Sequence, residues 1–245
     1  MSFEIKPATR QGVVCRTDLV QGSDEWLAAR CGLLTASEVK LILTPALKVA
    51  SNDKERAHLC ELLAQRITKY VEPTFVSDDM LRGHTDEVEA RKIYSELVHP
   101  VDATVGFITN DKWGFTLGYS PDGLVGKEGA IECKSRRQKY QVQMISEHVA
   151  NGTIPEEFML QVQTGLLVSE RQWIDLVSYC GGMPMAIVRV WPDEKIQAAI
   201  LEAAGAFEAR LLEKLNDYNS AAKTKPANAR LTTPVERKIE QGMHL

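Results

Sequence analysis

The chain has 245 residues, 44% apolar and 25% charged, with a formal net charge of −4. That length and composition suit a globular protein of one large or two small domains. No run of about 18 apolar residues is present and the first residues lack an apolar signal core, so a cytoplasmic protein with no membrane partner is expected. The five cysteines (Cys15, Cys31, Cys60, Cys133, Cys180) and five histidines are dispersed. That scatter argues against a disulfide frame, a zinc site or a His-based metal site.

Ser23, followed by Asp24 and Glu25, predicts a helix from about 23 to 30 with Ser23 as N-cap and Trp26 and Ala29 facing inward. Thr35-Ala-Ser-Glu38 reads as a capping box opening a second helix over Val39, Leu41, Ile42 and Leu43. A longer amphipathic helix is expected from about Asn52 to Lys69, with Ala57, Cys60, Leu63, Ala64, Ile67 and Tyr70 as its stripe. Another follows Gly83, with Val88, Ala90, Ile93, Tyr94 and Leu97 inward. The period then falls to two. Residues 103–109, 115–119, 123–125 and 130–134 read as strands, with turns at Asn110-Asp111 and Glu128-Gly129. Helices return near 140–149 and 155–169, and residues 173–179 and 185–191 read as a hairpin. A long helix over about 193–218 carries the stripe Ile196, Ile200, Ala203, Phe207, Leu211 and Leu215. The expected fold is one α/β domain over residues 1–219, a central mixed β-sheet flanked by helices, followed by a basic arm over 220–245.

The stretch from Tyr119 to Lys134 carries the chemistry. Side chains alternate along a strand, so Glu132 and Lys134 share one face while Ile131 and Cys133 take the other. Asp122 arrives from the preceding strand or turn. Two carboxylates and a main-chain carbonyl, with Cys133 the natural donor, suit Mg²⁺, which takes oxygen ligands and retains waters. Such a metal eases ionisation of water and neutralises charge on a phosphate, and Lys134 adds a compact positive charge. The same residues also suit a plainer reading: Glu-x-Lys pairs ions on solvated strand faces, and Pro-Asp-Gly marks ordinary turns. The acidic total counts against nucleic acid as a partner, but Arg136, Arg137 and Lys139 follow the candidate ligands with no acid among them. They are candidate DNA-binding residues, although a solvated surface charge is the commoner case.

Four motifs carry a resemblance. They are Trp26-Leu-Ala-Ala-Arg30 running on to Thr35-Ala-Ser37-Glu-Val, and Gly83-His-Thr-Asp-Glu87-Val-Glu-Ala-Arg91. The third is Gly118-Tyr-Ser-Pro-Asp122-Gly with Ile131-Glu132-Cys-Lys134, and the fourth is Leu160-Gln161-Val-Gln163. In this order, across roughly residues 21–191, the chain resembles the phage lambda exonuclease family, the YqaJ-like viral recombinase nucleases of the PD-(D/E)XK superfamily. The resemblance implies a restriction-endonuclease-like core. It also implies a 5′→3′ exonuclease that digests linear double-stranded DNA with Mg²⁺, releases mononucleotides and leaves a 3′ overhang for phage recombination. Asp122 and Glu132 would bind metal, two ions in all with Mn²⁺ as a possible substitute, and Lys134 would orient the attacking water. Glu87, with Glu89 a weaker candidate, would support the site and the second metal. Gln161 would lie near the metal water, with Gln163 as fallback. By themselves Glu87 reads as a helix partner of Arg91, and the glutamines as surface amides.

Arg30 and Ser37 are candidates for the 5′-phosphate. Ser37 would fall in the first turn of a helix capped by Thr35, where free N–H groups and the helix dipole favour an anion, with Arg30 adding a planar fork. The resemblance further implies a homotrimeric ring around DNA, a single-strand annealing protein as partner, and a phage or prophage origin in a bacterial host. Two readings stay open beside it: a related endonuclease or RecB-like single-strand nuclease, and a non-catalytic DNA-binding module.

Overall fold

The computed structural model describes residues 12–73, 77–224, 228 and 232–233. In chain order they form β1 (Val13–Arg16), α1 (Asp24–Arg30), β2 (Leu34–Thr35), α2 (Val39–Ile42), α3 (Asp53–Thr68) and α4 (Asp78–Leu97). Strands β3 (Phe107–Asn110), β4 (Leu117–Tyr119), β5 (Gly123–Val125) and β6 (Gly129–Ser135) follow, then α5 (Gln138–Gln143). A π-turn at Met144–His148 leads on to α6 (Glu156–Ser169), β7 (Trp173–Tyr179), β8 (Ala186–Val190) and α7 (Glu194–Thr224).

The α/β class holds, but the strands divide into two four-stranded mixed sheets rather than one: β1-β3-β4-β2 and β5-β6-β7-β8. The division falls at Ser120-Pro121-Asp122, between β4 and β5. Proline has no N–H to give a ladder, and the chain turns there instead of pairing onward. In the first sheet β2 runs parallel to β4, and β1 and β4 run antiparallel to β3. In the second, β6 is parallel to β7, with β5 and β8 antiparallel on the outside. Residues 103–105, expected as strand, lie outside the ladder, which begins at Phe107.

Helix caps follow local chemistry. Ser23 accepts the Trp26 N–H, and Asn52 accepts that of Glu55. The second helix departs from expectation. Thr35 belongs to β2, paired with Gly118, so helix α2 spans only Val39–Ile42. Glu38 supplies half of the capping box, its carboxylate accepting the Thr35 N–H (2.9 Å) and hydroxyl (2.7 Å).

Two helical faces are also rotated from their apolar patterns. Helix α3 buries Glu55, His58, Leu59, Leu62 and Leu63, while Cys60 is exposed. Glu55 accepts Arg210 of α7 at 2.7 Å, so a paired carboxylate stands where a hydrophobic residue would be sought. Arg66 forks onto Glu208 at 2.7 and 2.6 Å, tying α3 to α7 a second time. In α4, Ala90 and Tyr94 are buried, but Val88 is 58% and Leu97 77% exposed. The inward side of this helix is partly charged, carrying Glu87 and Arg91 at intermediate burial. Helix α7 buries Ile200, Ala203, Phe207, Leu211 and Leu215 as its stripe predicts, while Ile196, the first of the stripe, is only partly buried. It continues unbroken to Thr224, past the expected boundary at 219, and most of the remaining basic arm lies outside the described residues.

Candidate active site

Strand β6 brings the triplet to the junction of the two sheets. Glu132 and Lys134 share its α6-facing side, and Cys133 packs on the opposite side with Ala90 and Tyr94 of α4. Lys134 Nζ donates to Glu132 Oε1 (2.7 Å) and to Gln161 Oε1 (3.1 Å). Gln161 Nε2 donates to Glu132 Oε1 at 2.6 Å, and the Tyr119 hydroxyl donates to Glu132 Oε2 at 3.1 Å. Three donors from three elements thus hold one carboxylate that is 2% exposed.

Asp122 is anchored differently. Its Oδ2 accepts the Cys133 N–H at 2.6 Å, and its backbone carbonyl accepts Arg91 at 2.9 Å. The N–H and C=O of a strand residue leave on the same edge, so the Cys133 carbonyl faces the Asp122 side of β6. The Arg91 bond to the Asp122 carbonyl ties α4 to the loop that carries Asp122, and Arg91 also lies 3.4 Å from Glu87 Oε1 one turn earlier on the same helix.

Beside the carboxylates runs a cleft of about 190 Å³ lined by Arg30, Thr35, Ser37, Ser120, Glu132 and Gln161, among others. Arg30 donates to Ser120 Oγ (3.2 Å) and Thr35 Oγ1 (3.1 Å), and its guanidinium lies 4.3 Å from the centre of the Trp26 ring. The Trp26 indole N–H reaches Ser120 Oγ as well, at 3.1 Å. A planar cation and three hydroxyls therefore meet one wall of the cleft, chemistry suited to an oxyanion.

The charges are unbalanced. Asp122, Glu132 and Glu87 face two cations, Lys134 and Arg91. Burial, then the charges of Glu132 and Glu87, hold the Asp122 carboxyl well above the usual carboxylate range. Burial and Glu132 push Glu87 up too, against Arg91. Burial alone would lower Lys134, but Glu132 and Asp122 outweigh it and raise the ammonium. Buried carboxyls that hold one another back from ionising are groups whose charged forms a divalent cation would favour. Among the described residues no group of three His, Cys, Asp or Glu side chains is placed to hold a metal. The groups that could hold one are Asp122, Glu132 and the Cys133 carbonyl, all hard oxygens of the kind Mg²⁺ takes.

The sequence model of the YqaJ-like viral recombinase domain matches residues 25–172, more than half of the chain. The chain belongs to the YqaJ-like viral recombinase family. Among solved structures, LHK-Exo in complex with dAMP is 31% identical with a TM-score of 0.70, covering 82% of this chain and 98% of its own. The alkaline exonuclease LHK-Exo from Laribacter hongkongensis, in a second structure, gives 30% identity and a TM-score of 0.69 over the same shares. A phage-related exonuclease from Haemophilus somnus 129PT shares the fold at 13% identity and a TM-score of 0.51, covering 75% of this chain and 96% of its own. A search of the curated proteins returns no match. Membership places the chain among nucleases of the exonuclease type.

In this YqaJ-like nuclease the expected residues do not all converge. Glu132, Lys134 and Gln161 meet directly, Asp122 lines the same cleft and is tied to β6 through the Cys133 N–H, and Glu87 lies beside Arg91. Glu89 is exposed. Gln163 is buried and structural, donating to the Trp191 carbonyl and accepting the Asp193 N–H, so it turns away from the carboxylates. Ser37 lines the cleft, but from a turn before a four-residue helix rather than from the first turn of a helix capped by Thr35, because Thr35 is held in β2. The helix-terminus argument for the anion therefore falls, and the hydroxyls with Arg30 replace it. Arg136, Arg137 and Lys139 line a separate, larger cavity. Two members of the cleft escaped the reading of the sequence. Ser120 and Tyr119 sit inside the Gly-Tyr-Ser-Pro-Asp motif, and only the folding of β4 against α1 and β6 gives them partners. Among the described residues no helix is long and apolar enough to cross a membrane.

Proposed function

We propose that this chain is a Mg²⁺-dependent 5′→3′ exonuclease that digests linear double-stranded DNA to mononucleotides and leaves a 3′ single-stranded overhang for recombination. The observation that carries the reading is the shared cleft: the oxyanion donors Arg30, Ser37 and Ser120 and the carboxylate Glu132 line one groove. A terminal phosphate gripped by Arg30 sets the next phosphodiester against the carboxylates, which is catalysis by positioning. The relative that holds dAMP, a deoxynucleoside monophosphate, supports mononucleotides as the product.

Asp122, Glu132 and the Cys133 carbonyl are the proposed metal ligands, with Glu87 beside them for a second ion and Mn²⁺ as a substitute. When bound, Mg²⁺ supplies a more acidic water and offsets charge on the phosphate. The chain's own groups do the rest. Tyr119 and Gln161 fix the rotamer of Glu132. Lys134, held by Glu132 and Gln161, would orient the attacking water and offset the charge that develops on the phosphate oxygens. The proposed assembly is a homotrimeric ring on DNA, in which encirclement rather than affinity retains the substrate, working with a single-strand annealing protein in a bacterial cytoplasm.

A linear duplex labelled at either the 5′ or the 3′ end, incubated with Mg²⁺ and resolved on a gel, tests polarity and class together. Early release of labelled mononucleotide from the 5′ end alone is expected. Cutting of covalently closed circular duplex, or early release from the 3′ end, overturns the reading.

A further inference from the structure

A second cavity, larger than the cleft at the carboxylates, is lined by other residues. It measures about 540 Å³ and is lined by Arg82, Asp86, Arg136, Arg137, Lys139 and the Cys180-Gly181 turn, among others. Four cations and one carboxylate line it, and with Glu157 paired to Arg136 a positive surplus remains, in a chain whose net charge is −4. Local positive charge of this density on an acidic protein marks a site for a polyanion.

The cavity is built into the same elements as the catalytic groups. Ser135 follows Lys134 on β6, and Asp86 precedes Glu87 on α4. Ser135 Oγ donates to Asp86 Oδ2 and accepts Arg82 Nε at 3.2 Å, joining these elements at the rim. Arg136 is held rigidly. Its side chain is 12% exposed, lies 4.9 Å from the Tyr140 ring and 5.0 Å from the Phe158 ring, and donates to Glu157 at 2.8 Å. Phe158 also carries Lys134, at 5.4 Å. Lys139 rests on Tyr140, at 4.6 Å. Aromatic faces that hold cations in place lower the ordering cost of gripping a ligand.

The contacts run in one order: Arg30 to Ser120, Tyr119 to Glu132, Glu132 to Lys134, then Lys134 and Arg136 on a common ring. We infer that the cavity binds the phosphates of the digested strand just downstream of the scissile bond. The strand would then be gripped on both sides of the metal ligands, by Arg30 at its 5′ end and by Arg137 and Lys139 beyond the cut. This rests on the exonuclease reading and adds the path of the strand.

The test pairs protein and substrate changes. Wild type, Arg137→Ala and Lys139→Ala are compared on a 5′-phosphorylated duplex, and on duplexes with a neutral methylphosphonate at one of the first few linkages after the cut, in either strand. The single variants are expected to raise KM roughly five- to tenfold and to lower the salt slope of binding by about one each, as loss of one phosphate contact does. On the duplex neutralised in the digested strand, variant and wild type should converge. Retention of the full variant effect there overturns the inference, as does convergence only when the complementary strand is neutralised. A shift in sedimentation that accounts for the lost binding also overturns it, since the cavity would then be a contact between copies. Melting temperatures identify a variant that fails to fold, and Gln138→Ala then serves as a second lining substitution. Absence of Mg²⁺-dependent 5′ release by the wild type marks failure of the exonuclease reading instead.

Discussion

Tyr119 of one sheet and Glu132 of the other are joined by a single buried hydrogen bond of 3.1 Å, between the phenol and Glu132 Oε2. The first sheet thereby sets the orientation of a carboxylate on the second. Burial and Glu132 both push the Tyr119 phenol well above its ordinary value, so it stays a donor at any working pH.

Removing that donor should separate position from presence. Tyr119→Phe leaves Glu132 in the site with one oxygen unpaired, and is expected to cost about 1–2 kcal/mol of stability and about tenfold in kcat. Urea denaturation and steady-state digestion read the two separately. Wild-type kcat in this variant would show that Glu132 needs no help from the first sheet.

Gly165 offers a second way to move the same phenol. A Cβ there would come 2.8 Å from Tyr119 Cζ. Alanine is intrinsically favoured over glycine in a helix by about 1 kcal/mol, yet Gly165→Ala should lose activity as Tyr119→Phe does, because the ring must shift. A variant as active as wild type and more stable would count against the coupling.

The three carboxylates predict a linkage between metal and stability. Asp122→Asn removes one of the repelling charges, so in the presence of a chelator the variant should melt above wild type. Added Mg²⁺ should raise the melting temperature of wild type, with a smaller shift in the variant. Equal shifts in both proteins would remove Asp122 from the ligand set.

Single replacements of Asp122, Glu132 or Lys134 by alanine are each expected to lower digestion by on the order of 10³-fold or more, with circular dichroism unchanged. Wild-type activity in Glu132→Ala and Lys134→Ala together would dismiss the site.

Glu38 touches no substrate in this arrangement. It is a positioning residue: its carboxylate holds the Thr35 hydroxyl, which in turn accepts Arg30 at 3.1 Å. Glu38→Ala should weaken the preference for 5′-phosphorylated over unphosphorylated ends several-fold through KM, and Arg30→Ala should remove it. Glu38→Gln, which still accepts the Thr35 hydroxyl, should restore most of the preference. A uniform loss on both kinds of end would reduce Glu38 to a structural role.

Local periodicity and short spacings are enough to encode part of this architecture. The alternation around Glu132 and Lys134, the cap at Ser23, and the stripe of α7 need nothing beyond their neighbours in the chain. The pairing of Thr35 with Gly118 is different: it joins residues far apart, pulls Thr35 into a strand, and shortens the helix its capping box announces. The buried faces of helices α3 and α4 differ from their apolar patterns for a related reason. Their inward positions hold Glu55, Glu87 and Arg91, and a charge that finds its partner only after folding cannot be told in advance from one left in water. Tertiary structure alone decided that two sheets form, that Ser120 and Tyr119 join the cleft, that Gln161 rather than Gln163 meets Glu132, and that Arg136 and Lys134 share Phe158. Each of these is a contact between segments distant in the chain, set by packing and by satisfaction of buried polar groups.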